Sequence, residues 1–199
     1  MAGTLYSNLG TGSVVYNCCS GWTVSGTGSI GTSFTAANEF QVTAGGSVSE
    51  IDVAVGIVEG ANSFYVDVDA DNSGKPGSVL ASFTGLTSSE TFGNCCNLVS
   101  ITGISGLSLS TGTNYWLVIG PTSTSATTWE AWNFSNSATG IDEYSTDGGK
   151  TWTSNGNQPQ GAFQILGGGS GTTPEPTSLL LFGTGVLGVV GAFRRKLKL

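Results

Sequence analysis

Apolar and polar residues alternate along most of this chain with the period of a β-strand. Between residues 47 and 58, Ile51, Val53, Val55 and Ile57 alternate with Asp52, Ala54 and Gly56. A period of two puts one set on a buried face and the other toward solvent. Phe64, Val66 and Val68 share one face of the next segment, and Tyr65, Asp67 and Asp69 the other. Turn formers crowd residues 71–77, and the apolar run 79–83 returns, which predicts a hairpin. Before residue 43 the clusters are shorter and broken by glycine: Val14-Val15-Tyr16, Trp22-Thr23-Val24, Phe34, and Phe40-Gln41-Val42. Further strands are expected at 98–104, 107–109, 114–119, 127–134 and 141–145. A last one spans 161–166, with Phe163 and Ile165 on one face. Roughly ten short strands at this spacing predict an all-β fold, an antiparallel β-sandwich of jelly-roll-like type over residues 1–166. No long helix is expected there. Residues 167–173 are glycine-rich and read as a flexible linker.

The pattern changes after residue 173. Pro174-Glu175-Pro176 is followed by an apolar run from about 178 to 193 without a charge, then by Arg194, Arg195, Lys196 and Lys198. A helix of roughly 17 apolar residues approaches the minimum for spanning a bilayer and satisfies its own backbone in lipid. A basic cluster beyond such a run stays on the cytoplasmic side. One C-terminal transmembrane helix is therefore expected, with the body outside the cytoplasm.

Three features carry a resemblance. They are Pro174-Glu175-Pro176, the run Leu179-Leu180-Leu181-Phe182-Gly183-Thr184-Gly185-Val186-Leu187-Gly188, and Arg194-Arg195-Lys196. Together, residues 174–199 resemble the PEP-CTERM sorting tail. The resemblance implies export from a Gram-negative type bacterium and recognition by an exosortase, a membrane protease. It implies cleavage near Pro174, Glu175 and Pro176, and often a setting of extracellular polysaccharide. Residues 71–82, 107–120 and 144–152 also resemble the β-sandwich ectodomains that carry such tails. The chain begins Met1-Ala2-Gly3-Thr4-Leu5-Tyr6, without the basic and apolar regions of a leader peptide. Export therefore leads us to expect a start upstream of Met1.

Charge narrows the partners. The chain carries 13 acidic and 6 basic residues and no histidine. Before the tail the only basic residues are Lys75 and Lys150. Phosphate contacts need a basic surface, so nucleic acid is excluded as a partner. The cysteines form two adjacent pairs, Cys18-Cys19 and Cys95-Cys96. An even count in an exported chain suggests disulfides, and cross-links between the two pairs avoid the strain of bridging neighbours. Zinc is the alternative, but adjacent cysteines lack the usual spacer.

Asp67, Asp69 and Asp71 have the i, i+2, i+4 spacing of a calcium loop, with Ser73 adding an oxygen. Asn72 stands where such a loop needs glycine, so the competing reading is the solvated face of a strand. No other cofactor is expected. Residues 145–152 resemble the Asp-box hairpin of sialidase-type propellers, here as a single copy that implies a stable turn built on Asp147 and Trp152. Trp22, Trp116, Trp129, Trp132, Tyr65 and Tyr115 are the raw material for a sugar platform, since flat rings stack on a pyranose. The odd spacing of Trp129 and Trp132 puts them on opposite strand faces, and Glu130, Asn133 and Asn136 lie near enough in sequence to bond hydroxyls. Catalysis is not expected. Without histidine the usual general base and the Ser-His-Asp triad are gone. Glu130 with Asp142 or Glu143 would supply the two carboxylates of a glycosidase, but nothing in the sequence pairs them. The leading reading is an exported, non-catalytic surface or matrix protein. A carbohydrate-binding module and a structural biofilm component are the alternatives.

Overall fold

The computed structural model describes residues 3–169. Among them are fourteen strands: β1 (Gly3–Ser7), β2 (Asn17–Ser25), β3 (Thr35–Gln41), β4 (Gly46–Val53), β5 (Val55–Glu59), β6 (Phe64–Asp71), β7 (Pro76–Leu86), β8 (Glu90–Thr91), β9 (Val99–Thr102), β10 (Ser108–Leu109), β11 (Asn114–Pro121), β12 (Trp129–Ser145), β13 (Thr153–Gly161) and β14 (Phe163–Gly169). The one helix among the described residues is a single turn, Thr27–Ile30. The fold is all-β, as the alternation predicts. The proposed transmembrane segment, Pro174, Glu175, Pro176, Arg194, Arg195 and Lys196 lie outside the described residues. Among the described residues no helix is long and apolar enough to cross a membrane.

The strands form two sheets. The smaller runs β1-β14-β4-β10, with β9 also on β4; the larger runs β7-β6-β11-β3-β12-β5-β8, with β2 and β13 also on β12. Every pairing is antiparallel except β5 with β8. One core joins both sheets. The smaller contributes Leu5, Val48, Ile51, Ile101, Phe163 and Ile165, and the larger Phe40, Phe64, Val66, Val68, Leu117, Ile119 and Trp132. Each such side chain, fully buried, stabilises the fold by about 1.5–3 kcal/mol relative to exposure.

Two strands pass from one sheet to the other, which accounts for some of the difference between ten expected strands and fourteen observed. The run predicted over 47–58 divides at Ala54 into β4 and β5. The strand expected over 161–166 is β14, and β13, a strand the alternation did not predict, leads into it through the corner at Ala162. The two corners meet: the Ala54 amide donates to Ala162 O at 3.0 Å, and the Ala162 amide donates to Asn133 O at 2.7 Å. Ile51, Val53 and Val55 keep facing the same core across the break.

Strand β14 also runs past the expected boundary at Leu166. Gly167, Gly168 and Gly169 pair with Val48, Ser47 and Gly46, so these three glycines belong to a strand and not to the linker. A Cβ on Gly167 would lie 2.2 Å from Ser47 O, a spacing that admits only glycine.

Hairpin β6–β7 forms as predicted, around residues 72–75. Ser73 and Gly74 both take positive φ, 57° and 81°. The Asp71 carboxylate closes the turn by accepting the Gly74 amide at 3.1 Å.

Candidate functional site

Strand β12 organises the chemistry, because it bonds to β2, β3, β5 and β13. Its inner half carries Trp132, which is fully buried in the core and donates from Nε1 to Ala162 O at 3.1 Å. Trp132 is therefore no platform for a sugar. Gly161 makes room for its ring; a Cβ there would lie 2.1 Å from Trp132 Cε2. Trp129 is half-buried. Trp116 is fully buried and Tyr115 nearly so, which removes them from the platform too.

Glu130 lies on the same strand, completely buried, and neither carboxylate oxygen has a hydrogen-bond partner. Desolvation raises its pKa to about 8; the Ser63 amide lies close enough to lower it but is bonded to Ala61 O at 3.1 Å and to neither carboxylate oxygen. Buried Asn133 also lacks a side-chain partner, and the Asn136 amide is spent on Val14 O at 2.9 Å. No neighbouring carboxylate contributes to the shift of Glu130. Glu130 and Asp142 lie on different halves of β12, Glu130 opposite Val24 and Ile57 and Asp142 opposite Asn38 and Gly156.

The outer half of β12 borders a cleft of about 430 Å³. Trp22, Phe34 and Tyr144 line it, with Thr23, Asp142 and Asn155. Phe34 and Tyr144 lie 6.3 Å apart between ring centroids, and Trp22 rests edge-on against Phe134 at 5.1 Å. Asp142 is held by two amides: Asn38 Nδ2 donates to Oδ1 at 2.8 Å, and Asn155 Nδ2 donates to Oδ2 at 2.6 Å. Burial still raises its pKa to about 7. Apolar rings beside fixed polar groups are the ordinary composition of a small-ligand site. Trp22 was visible in the sequence as a platform candidate. Phe34 and Tyr144 were not, although Tyr144 and Asp142 are two apart and share a strand face.

The three aspartates proposed for calcium do not make a loop. Asp67, Asp69 and Asp71 point from one face of β6, a strand paired on both sides by β7 and β11. Extended backbone sets alternate residues about 6.6 Å apart, too far to converge on one ion. Among the described residues no three acids, cysteines or histidines are grouped to hold a metal. Asp71 accepts instead from Trp116 Nε1 at 2.9 Å. Asp69 is nearly buried, and desolvation first, then Asp67, raises its pKa to about 7.

The 145–152 hairpin behaves as its resemblance implies. The Asp147 carboxylate accepts the amides of Lys150 and Thr151 at 3.1 and 2.9 Å and the hydroxyls of Ser145 and Thr151, both at 2.7 Å. These donors, Thr151 foremost, hold its pKa well below the usual carboxylate range. Trp152 packs with Ile141 and Tyr65 against Ala37, Trp116 and Val118.

The four cysteines gather at one place. The Gly93 amide donates to Cys18 O at 2.9 Å and the Tyr16 hydroxyl donates to Asn97 O at 3.1 Å, which lays the segment between β8 and β9 over the start of β2. Cys18 Sγ lies 3.6 Å from Cys19 Sγ, and Cys95 Sγ lies 3.7 Å from Tyr16 O. All four are thiols in this structure.

Outside the body, residues 172–196 match the family described as the PEP-CTERM protein-sorting motif. The tail is a PEP-CTERM sorting signal. A PEP-CTERM signal implies export, sorting at a membrane, and processing by an exosortase, which is itself a membrane protein. The match covers 25 residues of the tail. No curated protein and no solved structure matches the chain.

Proposed function

We propose that this chain is an exported bacterial surface or matrix protein with a non-catalytic body. The PEP-CTERM signal at residues 172–196 is the observation that supports this reading. The apolar run halts in the bilayer as a helix, and Arg194, Arg195 and Lys196 stay on the cytoplasmic face. An exosortase-type protease then cuts beside Pro174, Glu175 and Pro176. The body it releases or leaves attached is a jelly-roll-like β-sandwich. Its sparse, acidic surface favours solubility outside the cell.

The test is fractionation and intact-mass analysis of tagged full-length protein made in a host that has an exosortase. The parent should appear outside the cytoplasm with a mass ending near residue 175. A Pro174→Ala, Glu175→Ala, Pro176→Ala variant should keep its full mass and stay in the membrane fraction. Identical processing of both proteins would defeat the proposal.

The cleft bordered by Trp22, Phe34 and Tyr144 favours a second reading, an extracellular carbohydrate-binding module. The rings offer apolar faces, and the Thr23 hydroxyl and the exposed Asn155 amide oxygen offer bonds to sugar hydroxyls. Saturable binding on a glycan array, lost in Trp22→Ala with an unchanged circular dichroism spectrum, supports it. Absence of any saturable glycan leaves the third reading, a structural biofilm component.

A further inference from the structure

We infer that Asn155 is a self-modifying site: the Gly156 amide closes on the Asn155 side chain, ammonia leaves, and water opens the ring to aspartate or isoaspartate. Asn155 is the one asparagine of the chain that a glycine follows. Ring closure is hindered by a side chain on the following residue. Here the space a Gly156 Cβ would occupy is open, with nothing within 4 Å. Strand β13 pairs with β12 alone. Asp142 lies opposite Gly156 and Glu143 opposite Ser154, so Asn155 is a bulged residue without a ladder partner. Its side chain is exposed, so water reaches the ring.

Both ends of the reaction have a group in place. The Gly156 amide, which attacks, donates to Ser154 Oγ at 3.2 Å. Ser154 is exposed, so its hydroxyl passes that proton on to solvent. Asn155 Nδ2, which leaves, lies 2.6 Å from Asp142 Oδ2. An amide nitrogen departs once it is protonated, and a carboxyl at hydrogen-bond distance is placed to do it. Burial raises the Asp142 pKa to about 7, so near neutral pH a large share of it is the neutral acid. Asn38 Nδ2 holds the other oxygen at 2.8 Å and so fixes the orientation of the carboxyl. The competing reading is a structural clamp, in which the bond to Asp142 locks the side chain and slows closure. The bulge favours reaction over locking. No ladder partner holds Asn155, and its carbonyl is tied by an exposed bond from Gln158 Nε2 at 3.0 Å.

The reaction balances with water as the sole co-reactant. Gly156 N forms a bond to Asn155 Cγ and loses its proton through Ser154 Oγ to solvent. Asp142 gives its proton to Nδ2, the Cγ–Nδ2 bond breaks, and ammonia departs; solvent reprotonates Asp142. Water then adds to one of the two ring carbonyls and breaks its bond to the ring nitrogen. Attack at the Asn155 backbone carbonyl leaves isoaspartate, and attack at Cγ leaves aspartate. The sum is asparagine and water giving an acid and ammonia. The product sets a carboxylate against Asp142 where an amide stood. Two carboxylates at that range do not both ionise freely, so the clamp opens. Asn155 lines the cleft of Trp22, Phe34 and Tyr144, so the modification ages that cleft. Its effect on sugar binding, and that alone, rests on the carbohydrate reading above.

Full-length protein in a non-ionic detergent is held at neutral pH, either folded or unfolded in urea, then digested and mapped by mass spectrometry over time. In the folded chain Asn155 should convert before any other asparagine, and at least as fast as it does in urea. Asp142→Asn should slow conversion in the folded chain by about tenfold or more, since a positioned acid ordinarily supplies at least that, and should leave the rate in urea unchanged. Ser154→Ala, at an exposed position that the core does not depend on, should slow the folded chain several-fold and serves where Asp142→Asn does not fold. Asn155 intact in the folded parent after the unfolded chain has converted would overturn the inference. So would either variant reacting at the parent rate while its tryptophan fluorescence matches the parent. The mapping reads the modification whether or not a glycan binds: conversion as expected without any glycan affinity defeats the carbohydrate reading and leaves the site standing.

Discussion

Glu130→Gln should make the protein more stable, and only at high pH. Glu130 is fully buried, with no partner for either oxygen and a pKa of about 8. An unfolded glutamate titrates near about 4.3. Between those two values the folded chain holds a proton that the unfolded chain releases. Stability from this residue is therefore greatest at low pH and falls as pH rises. The slope is at most about 1.4 kcal/mol per pH unit, and the loss ends above pH 8. Over the whole interval it comes to about 4–5 kcal/mol as an order of magnitude. Glutamine keeps the shape and never ionises, so it escapes this loss. Asp69 and Asp142 titrate alike in both proteins and cancel in the comparison where they do not couple to residue 130. Parent and variant should agree within about 1 kcal/mol near pH 4, since both then carry a neutral buried side chain. At pH 9 the variant should lead by about 4 kcal/mol, or about 8–16 °C in Tm for a body of this size. Guanidinium unfolding of the full-length chain in non-ionic detergent, followed by tryptophan fluorescence from pH 4 to pH 9, measures the gap. A gap that does not change with pH, or a parent more stable at pH 9, would refute the reasoning.

Three other outcomes are expected. Trp132→Ala should lower stability by about 3–5 kcal/mol, because it empties the centre of the core and removes the indole hydrogen bond to Ala162 O; thermal melting by circular dichroism checks it. Gly161→Ala should lose about 1–3 kcal/mol in the same melt, since its methyl group meets the buried Trp132 ring and the ring has nowhere to turn. Asp147→Ala should leave the core intact but speed amide exchange at Lys150 and Thr151, read by hydrogen–deuterium exchange. In the parent the same two amides should lose protection as pH falls below the ordinary carboxylate range, because the depressed pKa of Asp147 ties the hairpin to its charged form.

Much of the candidate chemistry was ambiguous in one dimension for a definite reason. The i, i+2, i+4 spacing of Asp67, Asp69 and Asp71 is shared by a chelating loop and by one face of a strand. Only the pairing of β6 with β7 and β11 chooses the strand. The spacing of Trp129 and Trp132 says that one ring leaves the core but not which. The choice falls on Trp132 as the inner ring because Gly161, distant in sequence, opens the space it fills. The cleft of Trp22, Phe34 and Tyr144 draws on β2, β12 and the residue preceding β3, so no local motif announces it.

By itself the sequence determined the sorting signal, the all-β class and the inward face formed by Ile51, Val53, Val55, Phe64, Val66, Val68, Phe163 and Ile165. These follow from local quantities: an uninterrupted apolar run with charges beyond it, and the two-residue pleat of extended backbone. Only the tertiary structure decided that the run through Ile51, Val53 and Val55 leaves one sheet for the other at Ala54, and that the segment holding Cys95 and Cys96 lies over the start of β2. A strand keeps its alternation when it turns a corner, so the pattern is blind to the corner. Where the chain turns is set by hydrogen-bond partners more than a hundred residues away, such as Ala162 for Ala54.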